Sequence, residues 1–248
     1  MSLNPFGDSL NTGDQKVAGE KDTLGGFRVH DSGVYELTIT AAYAGQSDSG
    51  AKSVTFVTKM EDGTDYSWTE WVTAGTAKGG KSFTVNDKGE AQYLPGFNRA
   101  NAIALLLTEK ELNALKWETR VIKKYSKAAQ AEVNTEVAMA TELLGGKILV
   151  GIQKQIVNKE QKNAAGAYEK INEKREVNEV DKIFQAGTRR TLQEALAKQE
   201  KGEFVDKWIE ANKEPRNRYK HIDGAPAANT GAPGGNAGSD KPTSSLFS

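Results

Sequence analysis

KSVTFVTKME (Lys52–Glu61), the dipeptide Asp62-Gly63, and DYSWTEWVT (Asp65–Thr73) decide the fold. Both runs are rich in the β-branched and aromatic residues that fit a pleated, half-buried surface. Asp-Gly between them is a tight-turn pair, because the favoured two-residue hairpin turn needs positive φ at its central positions. The stretch therefore predicts an antiparallel hairpin. Upstream, Tyr35, Leu37, Ile39, Ala41 and Tyr43 alternate with Glu36, Thr38 and Thr40, a period of two that predicts a further strand before the polar turn Gly45–Gly50.

The same reading extends downstream. A Gly- and Lys-rich loop, Ala74 to Lys81, leads to a short hairpin, Ser82–Val85 and Ala91–Leu94 around Asn86-Asp87-Lys88-Gly89, ended by Pro95-Gly96. Phe97 to Leu107 predicts a helix. Thr108-Glu109-Lys110-Glu111 has the spacing of a capping box, with Leu107 and Leu112 placed as a hydrophobic staple, and predicts a new helix start. Glu118 to Tyr125 fits strand and helix alike, and residues 126–142 are rich in Ala and Glu with a β-branched patch at Val133 to Val137. Gly145-Gly146 marks a turn before a strand over Lys147 to Val157, with Ile148, Val150, Ile152 and Ile156 on one face. Asn158 to Ala167 reads as a polar loop, and Ile171 to Phe184 holds the last strand. From Thr188 the period becomes helical. Thr191-Leu192-Gln193-Glu194 is a second capping box, and Gly202 separates two helical stretches.

These elements predict a mainly β chain with added helices, of α+β class. Residues 1–32 read as a flexible arm, 33–187 as the β-rich domain, 188–220 as a helical extension and 221–248 as a disordered Gly/Ala/Pro-rich tail ending near Leu246-Phe247. A tail of that composition has too little apolar surface to offset chain entropy.

Composition narrows the chemistry. The 248 residues contain no cysteine, which excludes disulfides, thiolate zinc sites and thiol nucleophiles. The two histidines, His30 and His221, stand in the flanks, and no carboxylate pair stands out as an acid/base couple. No enzyme activity, cofactor or metal is expected. No apolar run approaches the ~20 residues of a membrane span, and the opening residues lack the order of a secretion signal. A cytoplasmic protein is expected. Lys+Arg and Asp+Glu balance at 33 each, but Arg99 to Lys127 is locally basic.

Gly75-Thr76-Ala77-Lys78-Gly79-Gly80-Lys81-Ser82 matches the phosphate-loop pattern letter for letter. A working phosphate loop opens a helix, whose terminal amides and dipole hold the anion. Here Ser82–Val85 is strand-like and a turn follows directly, which leaves no room for a helix. The segment reads instead as a basic loop between strands. A nucleotide hydrolase built on Lys81 remains the weaker alternative.

Single-stranded DNA offers a charged backbone and exposed base faces, which lysines, arginines and aromatic rings can meet. Tyr66 and Trp68 share one face of their strand, and Trp71 points to the other. Trp71 is the expected exposed ring, because Ser67 and Thr69 beside it are polar. Phe83, Tyr93 and Phe97 cluster around Lys78, Lys81 and Arg99, and Tyr125 follows Lys123-Lys124. All twelve are candidate DNA contacts, although aromatic residues at strand spacing more often build a core.

The layout resembles bacteriophage single-stranded DNA-binding proteins of the oligonucleotide/oligosaccharide-binding (OB) type. The matching features are the Asn4-Pro5-Phe6 arm, the opening strand Gly33-x-Tyr35-x-Leu37-x-Ile39, Leu144-Gly145-Gly146-Lys147-Ile148-x-Val150, the Asn178-Glu179-Val180-x-x-Ile183-Phe184 segment, and a Gly/Pro/Ala tail ending near Phe247. The resemblance implies an OB-like antiparallel barrel and coating of single-stranded DNA in replication or recombination. It also implies a tail that contacts replication or recombination proteins through Leu246 and Phe247. The tail departs from the family pattern: it is not acidic, since Asp240 is followed by Lys241, and Ser248 comes last. The other alternative is a viral structural or assembly protein, whose β-rich body and polar arms would look similar.

Overall fold

The computed structural model describes residues 29–126, 128–163 and 166–225. The tail residues Leu246 and Phe247 and most of the N-terminal arm lie outside them. The architecture is mostly β with a few helices. Its centre is β1 (Gly33–Gln46), antiparallel to β2 (Lys52–Met60), which pairs in turn with β3 (Asp65–Trp71). The Asp62-Gly63 turn joins β2 to β3, with Gly63 at φ 81°.

On its other edge β1 meets two partners in succession. Its first half pairs with β8 (Lys147–Lys162), with Leu37 opposite Ile148. Its second half touches β7 (Ala131–Ala140), with Tyr43 opposite Met139. β7 forms a two-stranded ribbon with β6 (Trp117–Ser126), and β8 pairs with β9 (Tyr168–Gln185). The short hairpin of β4 (Phe83–Val85) and β5 (Ala91–Tyr93) forms a separate small sheet.

β1 carries a bulge. Ile39 stands opposite Thr58 and Ala41 opposite Val57, which leaves Thr40 as the extra residue, its hydroxyl donating to the Val57 carbonyl at 3.0 Å. A bulge bends its strand and shifts the alternation of faces. Leu37 and Ile39 point into the core and so does Ala42, whereas Ala41 and Tyr43 stand on the outer face. The unbroken alternation expected from Tyr35 to Tyr43 is thereby corrected.

The core lies between the inner faces of β1, β2, β8 and β9 and the helix α1 (Pro95–Thr108). Leu37, Phe56, Ile103, Leu143, Ile148 and Ile152 are fully buried there. α1 lies against both β3 and β9. Its second residue is Gly96 for a steric reason, since a Cβ there would come within 2.4 Å of the Trp71 carbonyl oxygen.

Two expected boundaries are corrected. Thr108–Glu111 ends a helix and does not start one. The Thr108 hydroxyl bonds back to the Ala104 carbonyl at 2.8 Å, and Glu109 takes a left-handed conformation at φ 61° that stops α1. The apolar run from Phe97 takes Thr108 as its last turn, and only a 3-10 turn, Leu112–Ala114, follows. Asn158–Ala167 is not wholly loop either: β8 continues to Lys162, so β8 and β9 form a long arm. Glu118–Tyr125, ambiguous in the sequence, is strand.

The second capping box forms as expected. Glu194 accepts from the Thr191 amide, and Thr191 accepts from the Glu194 amide, at the start of α2 (Leu192–Leu196). The same carboxylate accepts the amides of Glu203 and Phe204 at 2.8 Å, where α3 (Phe204–Ala211) begins. Burial alone would raise the Glu194 carboxyl, but the amides of Thr191, Phe204 and Glu203 outweigh it and hold it down to about 2. α3 packs Val205 and Trp208 on Phe184, against the outer face of β8 and β9. Trp208 lies flat against Gly151 and donates to Asp181 at 2.6 Å.

After α3 the chain runs back along the arm. A two-residue strand, β10 (Arg216–Asn217), lies parallel to β8. Three asparagines then act as side-chain peptide groups, each donating to and accepting from one backbone residue, and Asn158 donates a second time, to the Ile171 carbonyl at 3.0 Å. Asn158 holds Lys220, Asn172 holds Ile222, and Asn178 holds His30 from the N-terminal side, all at 2.8–3.0 Å. Among the described residues no helix is long and apolar enough to cross a membrane.

Candidate nucleic-acid interface

The register of β1, β2 and β3 separates two faces. Inward, Trp68 stacks on Phe56 at 5.1 Å between ring centroids, and Tyr66 packs beside it. Burial, with the Glu70 carboxylate nearby, pushes the Tyr66 hydroxyl up to about 12. These two candidates are partly buried, packed against the core. Outward, Ser67, Thr69 and Trp71 are exposed, Trp71 by 46%. Directly across from them lie Val57, Thr55 and Ser53 on β2, then Ala41, Tyr43 and Gly45 on β1. The outer face is therefore a strip of small and hydroxylated residues bearing two rings, Trp71 and Tyr43. The hydroxyls of Thr55 and Thr69 are bonded to each other at 2.9 Å.

A second aromatic group is joined to β3 through Gly96, which packs on the Trp71 backbone. Tyr93 stacks on Phe97 at 5.1 Å and meets Phe83 edge-on at 5.7 Å. Lys81 places its ammonium 5.5 Å from the Phe83 ring centre, and Tyr93 is 49% exposed. The β4–β5 hairpin and the start of α1 hold these rings, and Gly96 seats α1 against the Trp71 backbone.

The glycine loop before β4 has its own closed bonding. Ala74 donates to Lys81, and the amides of Lys78, Gly79 and Gly80 donate to carbonyls of Gly75 and Thr76 at 2.9–3.1 Å. The strand β4 follows directly, and no helix starts there. Thr76 anchors the loop to the β1–β2 turn through Ser49. Lys78 and Lys81 project from the loop as exposed cations.

Arg99 is engaged elsewhere. Its guanidinium is bound bidentately to Glu70, a residue only 2% exposed on the inner face of β3. Burial raises the Glu70 carboxyl, against the pull of Arg99 and of the Trp68 indole N–H.

The remaining candidates sit on the β6–β7 ribbon. Lys123 and Tyr125 share one face, opposite Asn134 and Glu132, and Lys124 is on the other, opposite Val133. The structure thus gathers Phe83, Tyr93, Phe97, Lys78 and Lys81 around the β4–β5 hairpin, linked to Trp71 through Gly96, packs Phe97 against the core as it does the inward Tyr66 and Trp68, and divides Lys123 and Tyr125 from Lys124. Tyr43 carried no signal as a surface ring, because its facing depends on the bulge at Thr40. Tyr168, exposed near the tip of the β8–β9 arm with Lys162 beside its ring, lay at the edge of the expected polar loop.

No known family model matches the chain, and no curated protein matches it.

Proposed function

We propose that this protein binds single-stranded DNA without sequence preference, by stacking bases on exposed rings and pairing lysines with phosphates, and that it coats single strands exposed in replication or recombination. The order β9-β8-β1-β2-β3, with α1 against both outer strands, supports reading the sheet as an OB-type barrel whose open side is filled by the helix. The observation that carries the binding proposal is the split of the β3 aromatics. Tyr66 and Trp68 pack against the core, while Trp71 stands exposed, linked through Gly96 to the Phe83–Tyr93–Phe97 group and the lysines of the glycine loop. Hydroxylated and small residues around Trp71 leave its ring accessible to a flat partner. Stacking suits any base, because every base has a π-face.

The test is a fluorescence titration with oligo-dT at several salt concentrations. Binding weakens with salt, with a log–log slope of about −0.7 per phosphate contact. Duplex DNA of equal length binds far less well, because its bases are already stacked. Equal affinity for duplex, or binding insensitive to salt, overturns the proposal.

A further inference from the structure

The outer face of the sheet does not stop at β1. Residues directly opposite one another in an antiparallel pair share a face. Tyr43 is opposite Met139, so the face that carries Trp71, Thr69, Thr55 and Tyr43 continues onto the β6–β7 ribbon through every second residue. On β7 these are Val137, Thr135 and Val133; on β6 they are Arg120, Ile122 and Lys124. The reverse face carries Lys123 and Tyr125 with Glu132 and Glu136.

The two faces differ in environment and in charge. Val133, Thr135, Val137 and Ile122 are half-buried, whereas Glu132, Asn134, Glu136 and Val121 are exposed. The face continuous with Tyr43 has the cations Arg120 and Lys124 and one carboxylate, Glu118, which Arg120 and Lys116 engage at 2.7 Å. The reverse face has two carboxylates for one lysine. A polyanion with apolar base faces is complementary to the first and repelled by the second.

We infer that the ribbon is a second contact surface for the same single strand, which passes from Trp71 over Tyr43 and along the Ile122–Lys124 face. This rests on the proposed binding at Trp71. The path crosses three strand spacings, about 14 Å, and then about 20 Å of ribbon. A short oligonucleotide held at Trp71 does not reach Lys124, and a longer one does.

The experiment compares Lys124→Ala, Lys123→Ala and Trp71→Ala in oligo-dT titrations with ligands of about 4 and about 16 nucleotides, the range of single-domain sites. Lys124→Ala is expected to weaken binding of the long ligand only and to flatten its salt slope by about 0.7, the loss of one phosphate contact. Lys123→Ala leaves both ligands unchanged, and Trp71→Ala weakens both. If Trp71→Ala weakens binding but Lys124→Ala does not, or the two lysine variants behave alike, the ribbon inference fails and the Trp71 proposal stands. If the unmodified protein binds neither ligand, both fail. Size-exclusion chromatography of DNA-free Lys124→Ala gives a further outcome: a changed oligomeric state assigns this face to a second copy of the chain and overturns the inference.

Discussion

Arg99 on α1 grips Glu70 on β3 through two parallel hydrogen bonds, from Nε at 2.7 Å and from Nη2 at 2.8 Å. The pair fastens the helix to the edge strand. Removing Arg99 leaves the Glu70 carboxylate buried with only the Trp68 indole N–H for a partner, and removing Glu70 leaves the half-buried guanidinium without its ion pair. Glu70→Ala or Arg99→Ala is expected to cost about 3 kcal/mol, and the double replacement Glu70→Leu/Arg99→Met to recover much of it. Urea unfolding of the three variants checks this. In the folded fraction, oligo-dT affinity of Arg99→Ala stays within a factor of about two, because its guanidinium is already engaged.

Trp68 and Trp71 are separated by three positions and by the thickness of the sheet. Trp68→Ala removes a ring stacked on Phe56 and is expected to destabilise the fold by about 3–5 kcal/mol. Trp71→Ala is expected to leave the melting curve nearly unchanged and to weaken oligo-dT binding by about 1–3 kcal/mol per stacked base. Equal loss of stability in both, with affinity untouched, would move the site away from β3.

Glu194 gives an acid-sensitive joint between α2 and α3. Its folded-state pKa, about 2, lies below the ordinary carboxylate value of 4.5. Its contribution is therefore complete above about pH 4.5 and drains away as pH falls toward 2. Glu194→Gln lacks it at every pH. The gap in melting temperature between the two proteins is expected to be widest near neutrality and to close across that window. A gap that stayed constant down to pH 2 would show that the carboxylate's charge contributes nothing.

Asn158→Ala removes both hydrogen bonds to Lys220. The expected result is local release: faster amide exchange over residues 216–222, at a global cost of about 1–3 kcal/mol. Unchanged protection of the Lys220 amide would mean that β10 and Asn172 hold the segment without Asn158.

Lys81→Ala is expected to preserve the fold, to produce no change in nucleotide turnover, and to reduce oligo-dT affinity by one phosphate contact. ATP hydrolysis that disappears in this variant would refute the reading of the glycine loop as a connection between strands.

What the sequence showed depended on how far away the deciding partner was. Asp62-Gly63, the Lys147–Val157 run and the Thr191–Glu194 box are local signals, and each forms where expected. Thr108–Glu111 has an equally good local pattern, but the preceding apolar helix uses Thr108 for its own last turn. The outward turn of Trp71 follows from polar Ser67 and Thr69 within the same strand. Arg99 looked available because its partner, Glu70, lies 29 positions away. The period of two puts Tyr43 on the face of Leu37 and Ile39 because nothing within β1 announces that Thr40 is the extra residue; only the register against Thr58 and Val57 does.

That extra residue makes the phase of β1 a matter of chain length more than of side-chain identity. Deleting Thr40 would bring Ile39 next to Ala41 and leave every later residue facing as it does now, with Ala42 inside and Tyr43 outside. What would go is curvature: a straighter β1 could not turn from β8 to β7 along one edge, and the ribbon would lose its seat. Inserting one residue between Ala41 and Tyr43 as regular strand would do the reverse, keeping the bend while carrying the tyrosine ring inward. Substitutions at Thr40 leave both quantities alone. Curvature and phase are thus separately addressable at neighbouring positions of one strand.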